Sequence, residues 1–331
     1  MFSKQIDFLS LGDMATDAFI RLKNANVHCK VNTNDCEICM PFGDKIPFEY
    51  VKVVKAVGNS ANAAVSAARL GLRTAFVTNI GEDQNGRDCV VELEKNKVIT
   101  SYVKRHKNKS TNYHFVLWYD VDRTILVNHT EFDYHLPHFP APKWIYLSSL
   151  ASNSYPYHME IADYLDKNPS VKLAFQPGTF QMNLGLTELK RIYERTEVFV
   201  VNVEEAQRIL KTDSRDPKNL MKQLSVYGPK LVVITDNTNG AYLYDHDHYY
   251  QMPMYPDPRP AFERTGCGDA WASTFVSALI MGKTPLEALM WAPVNPMSVA
   301  QFVGAQEGLL SREQIEWWLK RAPEDYKPRE I

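Results

Sequence analysis

The sequence predicts an α/β protein built on a mostly parallel central sheet. Three observations carry this reading. From Trp144 on, short apolar runs at Trp144–Leu147, Val171–Phe175, Val198–Val201 and Leu231–Thr235 alternate with helical segments, the pattern of βαβ units joined by right-handed crossovers. The chain opens on another apolar run, Ile6–Leu11, that stops at Gly12. No internal repeat, low-complexity tract or linker divides the 331 residues, a length that allows one large α/β domain or two smaller ones. We read it as one.

Composition bounds the function. Hydrophobic residues are 45% and charged residues 23%, an ordinary globular balance. A net charge of −2 gives no basic surface for nucleic acid. No run of 18 apolar residues and no charged-then-apolar leader is visible, so neither a membrane span nor a secretory signal is expected, and the expected location is cytoplasmic. Five unevenly spaced cysteines suit a reducing compartment better than a disulfide framework. Cys29, Cys36 and Cys39, with His28 adjacent, lack the second ligand pair of a zinc site; they read as buried or half-buried thiols in a small sheet.

Taken in order, Asp13 and Asp17 follow the first strand at its carboxyl end, where ligands gather in open α/β sheets. A turn or helix cap is the competing role, favoured for Asp13. Residues 18–57 read as extended: Val27, Cys29 and Val31 alternate with polar residues, Pro41, Gly43 and Pro47 break the chain, and Phe48 to Val54 resumes. Gly58-Asn59-Ser60-Ala61-Asn62 leads into a small-residue helix ending at Leu70-Gly71. Arg73–Ile80 is a strand, and an amphipathic helix runs to Lys95. The basic run Lys104–Lys109 reads as a solvated loop, with contact to a substrate phosphate as a lesser alternative. Asn112–Tyr119 and Thr124–Asn128 alternate as strands around the Asp120–Arg123 turn.

Chemistry concentrates in the second half. Asn202 and Glu205 follow a strand directly, as an N-cap and first-turn acid or as residues beside a hydrated Mg²⁺. Thr235 to Gly240 forms a loop after the next strand, with Asn237 suited to a left-handed turn. From Asp269 to Gly282 runs a small, apolar helix. Gly266, Cys267 and Gly268 would sit at its N-terminus, where free N–H groups and the helix dipole make an anion site. Asp269, in the first turn, is poorly placed to bind phosphate and well placed to take a proton from an attacking hydroxyl. A thiol at Cys267 is expected to have a lowered pKa there. Leu286 to Phe302 is broken by Pro293 and Pro296, and Ser311 to Lys320 reads as a short helix.

Glu263-Arg-Thr-Gly-Cys-Gly-Asp269 resembles the Asp-Thr-Thr-Gly-Ala-Gly-Asp signature of the ribokinase-like (PfkB) carbohydrate and nucleoside kinases. Val57-Gly-Asn-Ser-Ala-Asn62 is similar to that family's Gly-Gly-Lys-Gly-Ala-Asn loop, Asn202-Val-Glu-Glu205 to its Asn-x-x-Glu motif, and Thr235 to Gly240 to its Thr-x-Gly-x-x-Gly loop. The resemblance implies a three-layer α/β/α domain with a small β-sheet lid, formed here mainly by residues 18–57 and 110–130, and a possible homodimer through that lid. It implies γ-phosphoryl transfer from ATP to a hydroxyl of a small sugar. Asp269 is then the base, Gly266–Gly268 the anion hole, and Asp17, Gly58, Asn59 and Asn62 the substrate site. Asn202, Thr235, Gly240 and Asn295 would contact nucleotide, and Glu205 would hold Mg²⁺ through water. In the family the segment matched by Gly304-Ala-Gln306, with the loop before the anion hole, often holds a monovalent cation such as K⁺; here Glu263 replaces its aspartate. A nucleoside acceptor, its base stacked on Tyr and Phe residues of 113–119, is the alternative within kinases. Outside them, the altered Val57, Asn237 and Glu263 admit a non-catalytic sugar- or nucleotide-binding descendant. The P-loop and dinucleotide signatures are absent.

Overall fold

The computed structural model describes residues 5–29, 36–119 and 122–331; Val31 of the lid alternation, and Asp120 and Val121 of the turn, lie outside them. The first half comprises β1 (Phe8–Leu11), β2 (Ala15–Leu22), β3 (Asn26–Cys29), β4 (Cys36–Cys39), β5 (Phe48–Val57), α1 (Asn59–Arg69), β6 (Thr74–Gly81), α2 (Gln84–Lys95), β7 (Val103–His106), β8 (Asn112–Tyr119) and β9 (Asp122–Asn128). The βα units follow: β10 (Trp144–Leu147), α3 (Tyr155–Lys167), β11 (Lys172–Phe175), α4 (Thr179–Glu188), α5 (Lys190–Glu194), β12 (Thr196–Asn202), α6 (Val203–Leu210), α7 (Pro217–Ser225) and β13 (Leu231–Thr235). The chain closes with β14 (Ala241–Tyr244), β15 (Tyr249–Met252), α8 (Cys267–Ile280), α9 (Pro285–Trp291), α10 (Val294–Val299), α11 (Arg312–Leu319) and β16 (Arg329–Glu330).

Among the described residues, ten strands form the main sheet in the order β16-β15-β14-β13-β12-β11-β10-β1-β6-β7. From β7 to β13 neighbours are parallel; β14, β15 and β16 add antiparallel. Successive strand residues face opposite sides, and both sides are dry. Leu9, Ile145, Leu173, Phe199 and Ile234 pack with Ile161, Leu165, Ile209 and Leu220 of the helices on one face. Phe8, Tyr146, Val200 and Val233 pack with Phe275 and Val276 of α8 and Leu289 of α9 on the other. This burial on two faces is why the strands read as continuous apolar runs rather than alternating ones. The alanines of α8 and α1, Ala272, Ala278, Ala63 and Ala67 among them, are fully buried, and small side chains there let the two helices lie close to the sheet.

A smaller sheet, β5-β2-β8-β9, stands beside the main one. Its β2 begins at Ala15, so Asp17 is a lid-sheet residue rather than part of the turn after β1. β2 pairs antiparallel with β5 and parallel with β8, which sets Asp17 opposite His114.

Two expectations are corrected here. The basic run is not wholly a loop: its start is the edge strand β7, whose exposed Lys104 and Arg105 suit an unpaired edge. β14 to β16 carried no reading, and each is only two to four residues long. The Cys29 and Cys36 thiols are neither buried nor free, but joined in a disulfide across the exposed β3–β4 hairpin, with Cys39 unpaired. Among the described residues, no cluster of His, Cys, Asp and Glu suits a metal ion, and no helix is long and apolar enough to cross a membrane.

Candidate active site

Asp269 lies in the first turn of α8 and is almost completely buried. A buried carboxylate needs partners, and here they are neutral amides. Asn59 Nδ2 and Gln176 Nε2 donate to its Oδ1 at 3.0 and 3.2 Å, and Asn62 Nδ2 donates to its Oδ2 at 2.7 Å. Each amide is oriented by a second donor at its own oxygen. Ser149 Oγ donates to Asn59 Oδ1 at 3.0 Å, Gln306 Nε2 to Asn62 Oδ1 at 3.0 Å, and the Tyr146 hydroxyl to Gln176 Oε1. With their oxygens occupied, the amides can turn only their NH₂ groups to Asp269. Burial raises the Asp269 pKa above the usual carboxylate range, and the three amide bonds oppose that rise without cancelling it. A guanidinium or ammonium partner would have held the pKa low and left a poor base.

Asn59 and Asn62, expected at the acceptor, therefore contact the expected base itself. Gln176, Ser149 and Tyr146 escaped the sequence reading. A signal was present: Gln176 and Ser149 stand at the carboxyl ends of β11 and β10, as Asn202 and Thr235 stand at those of β12 and β13.

Across from Asp269 lies a polar wall shared by the lid and the end of β1. Asp17 Oδ1 is 3.2 Å from His114 Nδ1. Asp17 Oδ1 and His114 Nε2 are buried without a hydrogen-bond partner among the described residues, a cost of about 1–3 kcal/mol each that a hydroxylated ligand would relieve. Asp13 is not a cap. Its carboxylate accepts from the Tyr134 hydroxyl at 2.8 Å and lies 2.9 Å from His129 Nε2. Strand alternation sets the remaining lid residues: Val116 and Trp118 share the inner face with His114 and pack on Phe19. Tyr113 and Phe115 fall on the opposite face, with Phe115 47% exposed, so they do not form the stacking platform expected for a base. Gly58, at φ +109, precedes α1 and packs on the Asp13 carbonyl.

The donor side is a cleft of about 610 Å³ whose walls include Asn202, Thr235, Gly240, Cys267 and Gly268. Gly266 has φ +81, and a Cβ on it would stand 2.2 Å from the Ala305 Cβ; only glycine fits. Gly268 faces open space; the Cys267 N–H donates to the Arg264 carbonyl at 3.3 Å, which leaves the N–H groups of Gly268 and Asp269, in the first turn of α8, as those without intrahelical acceptors. Asn237, at φ +45, adopts the left-handed turn foreseen for it. Asn295 is corrected: fully buried, its Nδ2 donates to Thr274 Oγ1 at 2.9 Å and its Oδ1 accepts from Leu310 N at 2.9 Å, while Pro293 and Pro296 line the cleft instead.

Asn202 and Glu205 form a reciprocal cap of α6: Asn202 Oδ1 accepts from Glu205 N at 2.8 Å and Glu205 Oε2 from Asn202 N at 2.9 Å. Glu205 Oε1 accepts no hydrogen bond among the described residues, and burial raises the pKa of this carboxylate. A half-buried acid with one oxygen to spare fits an outer-sphere place beside a hydrated Mg²⁺.

A model of the pfkB family of carbohydrate kinases matches residues 51–309. The chain belongs to that family. It is a phosphotransferase of the carbohydrate-kinase class, with an alcohol group as acceptor. It is 24% identical over 317 residues to an ATP-dependent 6-phosphofructokinase of Thermoanaerobacterium thermosaccharolyticum, covering 91% of this chain and 90% of that one. It is 24% identical over 310 residues to a 5-dehydro-2-deoxygluconokinase of Halalkalibacterium halodurans, covering 86% and 90%. Arabidopsis thaliana ribokinase, solved with ribose and ATP, superposes with a TM-score of 0.76 at 18% identity over 96% of this chain and 99% of that one, which shows the ribokinase-like fold.

Within this pfkB-family site one expectation is reversed. Burial pushes the Cys267 thiol up to about 12, with the Glu263 carboxylate adding to the rise, and its Sγ lies 3.7 Å from the Pro296 carbonyl. The helix dipole does not overcome desolvation. Cys267 is expected to alkylate at neutral pH more slowly than Cys39, whose thiol lies in the exposed hairpin, when both are followed by peptide mass mapping. Cys267→Ala is expected to keep turnover within about threefold, because the anion site uses backbone N–H groups.

Proposed function

We propose that the chain transfers the γ-phosphoryl group of ATP to a hydroxyl of a small, uncharged sugar, with Asp269 as the general base. The observation that carries this is the placement of Asp269: a buried carboxylate with a raised pKa, between an anion-binding helix terminus and a wall of hydroxyl-binding groups. ATP lies along Thr235 and Gly240 with its phosphates toward Gly266–Gly268. Asp17, with His114, orients the sugar. Asp269 takes the proton of the hydroxyl as its oxygen attacks phosphorus, while backbone N–H groups stabilise the charge spread over the transferring oxygens. Asn202 and Glu205 would hold Mg²⁺ through its waters, and the ion would neutralise phosphate charge. The amide cage keeps the Asp269 oxygens aimed without lowering their basicity.

A sugar is preferred to a nucleoside because the lid aromatics expected to stack on a base face outward. It is preferred to a phosphorylated sugar because Asp13, Asp17 and Asp269 would repel a second phosphate. ADP release measured across free sugars, sugar phosphates and nucleosides is expected to give turnover with free sugars. Turnover confined to nucleosides would overturn the acceptor assignment. A non-catalytic descendant has less support, since Asp269 and its three donors are all present.

Asp269→Asn is expected to lower kcat by at least ~10²-fold, as for loss of a positioned base, with ATP affinity retained. In the native enzyme the base must be ionised, so activity falls as pH drops through its pKa. Because that pKa is raised, the acid limb of kcat/KM against pH is expected above the usual ~3.9 of an aspartate. A limb at or below that value would show that another group is titrating.

Dimerisation through the lid belongs to the same reading. Val51, Val53, Phe115 and Leu126, 45%, 47%, 47% and 51% exposed, lie together on the outer face of the small sheet, an apolar stripe that a second copy would cover. Light scattering is expected to give the mass of a dimer, and Phe115→Glu that of a monomer.

A further inference from the structure

The Glu263 loop and the 304–309 segment, where the fold family places a monovalent cation, are each approached by a guanidinium. A potassium ion is held by several oxygen atoms that replace its hydration shell. Both side-chain oxygens of Glu263 are already engaged. Glu263, 1% exposed, accepts from Thr265 N at 2.7 Å and Thr265 Oγ1 at 2.5 Å through Oε1, and from Gly304 N at 3.2 Å through Oε2. Arg123 Nε, from lid strand β9, lies 3.7 Å from the same Oε1. On the other side of the 304–309 segment, Arg69 at the end of α1 donates through Nη1 to the carbonyls of Gln306 at 2.7 Å and Leu309 at 3.1 Å. Its Nε and Nη2 are fixed on Asn96 Oδ1 at 3.1 and 3.0 Å. A cation entering here would face the Arg123 guanidinium and a carboxylate whose oxygens already accept from N–H and O–H donors. These residues do not fit potassium.

We propose that Arg123 takes the place of the monovalent cation in this chain, so that phosphoryl transfer needs no potassium, and that it thereby ties the lid to the loop carrying the anion-binding glycines. The arrangement is self-consistent in charge. Glu263 is buried, and a buried carboxylate that keeps its charge gains from a nearby opposite charge beside its hydrogen bonds. The guanidinium supplies the charge from the lid, and its reach to the donor cleft, where Arg123 is a wall residue, makes it part of the nucleotide's surroundings. Glu263 is two residues from Thr265 and three from Gly266, so the pair Arg123–Glu263 sets the backbone that presents the anion site. Glutamate in place of the family's aspartate adds one methylene of reach toward the lid. Arg123 is a positioning residue in this account.

The inference rests on the kinase reading, and two measurements keep the failures apart. The first needs no acceptor: the thermal unfolding midpoint is followed in potassium chloride and in tetramethylammonium chloride at equal ionic strength. A midpoint unchanged between the salts is expected; a saturable rise specific to potassium would overturn the proposal. The second is turnover with the best acceptor in the same salts, expected to agree within about twofold. A potassium-specific activation of about tenfold or more would also overturn it. A flat midpoint with no turnover on any acceptor sinks the kinase reading and leaves the cation inference standing. Arg123→Ala is expected to cut turnover about tenfold or more and to be partly rescued by guanidinium ion at sub-denaturing concentration. Loss without guanidinium rescue, in a variant whose unfolding midpoint matches the native one, would show that Arg123 does not act through Glu263. If Arg123→Ala proves unstable, Arg123→Lys decides by the same comparison of salts: native-like turnover in both salts, or newly acquired potassium activation, supports the proposal, and turnover about tenfold lower that neither salt restores overturns it.

Discussion

The rest of the site depends on keeping one carboxylate ionisable, dry and aimed. Asp269 sits under the sheet's crossover helices with almost no contact with water, and isolated charges in such surroundings neutralise themselves. Three amides prevent this without supplying a formal charge. Their own oxygens are tied down by Ser149, Tyr146 and Gln306, so the donors cannot flip. The cage draws on β10, β11, α1 and the 304–309 segment at once. That is why the parallel sheet matters to the chemistry: it brings the carboxyl ends of neighbouring strands to one line, each offering a polar residue to the same point.

The two halves of the site are organised by different physics. On the side proposed for the nucleotide the chain uses backbone: a left-handed glycine, a bare glycine facing the cleft, and the first turn of a helix. Side chains there can vary, which is how a half-buried thiol comes to stand between the glycines. On the acceptor side the chain uses side chains on a strand, where alternation alone decides which residues see the ligand. Asp17 and His114 face inward together because β2 and β8 run parallel and in register; their neighbours Ala18 and Phe115 face out by the same rule.

The fold was legible because βαβ units announce themselves by burial on both faces, and the cleft beside α8, proposed for the phosphates, could be singled out because a left-handed turn into a helix needs glycine. Gly266, Gly268, Asp269, Thr235 and Gly240 could each be picked locally. The pairings of the cage could not. Gln176 and Asp269 are 93 residues apart, and Gln306 and Asn62 are 244 apart; the end of a strand marks Gln176 as a site residue, but no local pattern says which carboxylate it will meet. Asn295 failed for a related reason. An asparagine among prolines looks like a surface residue, yet its amide closes a buried junction between α8 and the start of α11's approach, meeting Thr274 and the Leu310 N–H. The thiol of Cys267 failed on magnitude: the dipole was weighed, and the desolvation that outweighs it depends on packing that composition does not reveal.

The two ends of the main sheet carry a consequence of another kind. At one end, β7 shows Lys104 and Arg105 to solvent; at the other, β16 is a two-residue strand with Arg329 and Glu330 exposed. An unpaired strand is a template on which a foreign strand can grow, and charge and brevity are the ordinary ways of blunting it. With one border charged and the other two residues long, the main sheet offers a foreign strand little uncharged edge on which to add.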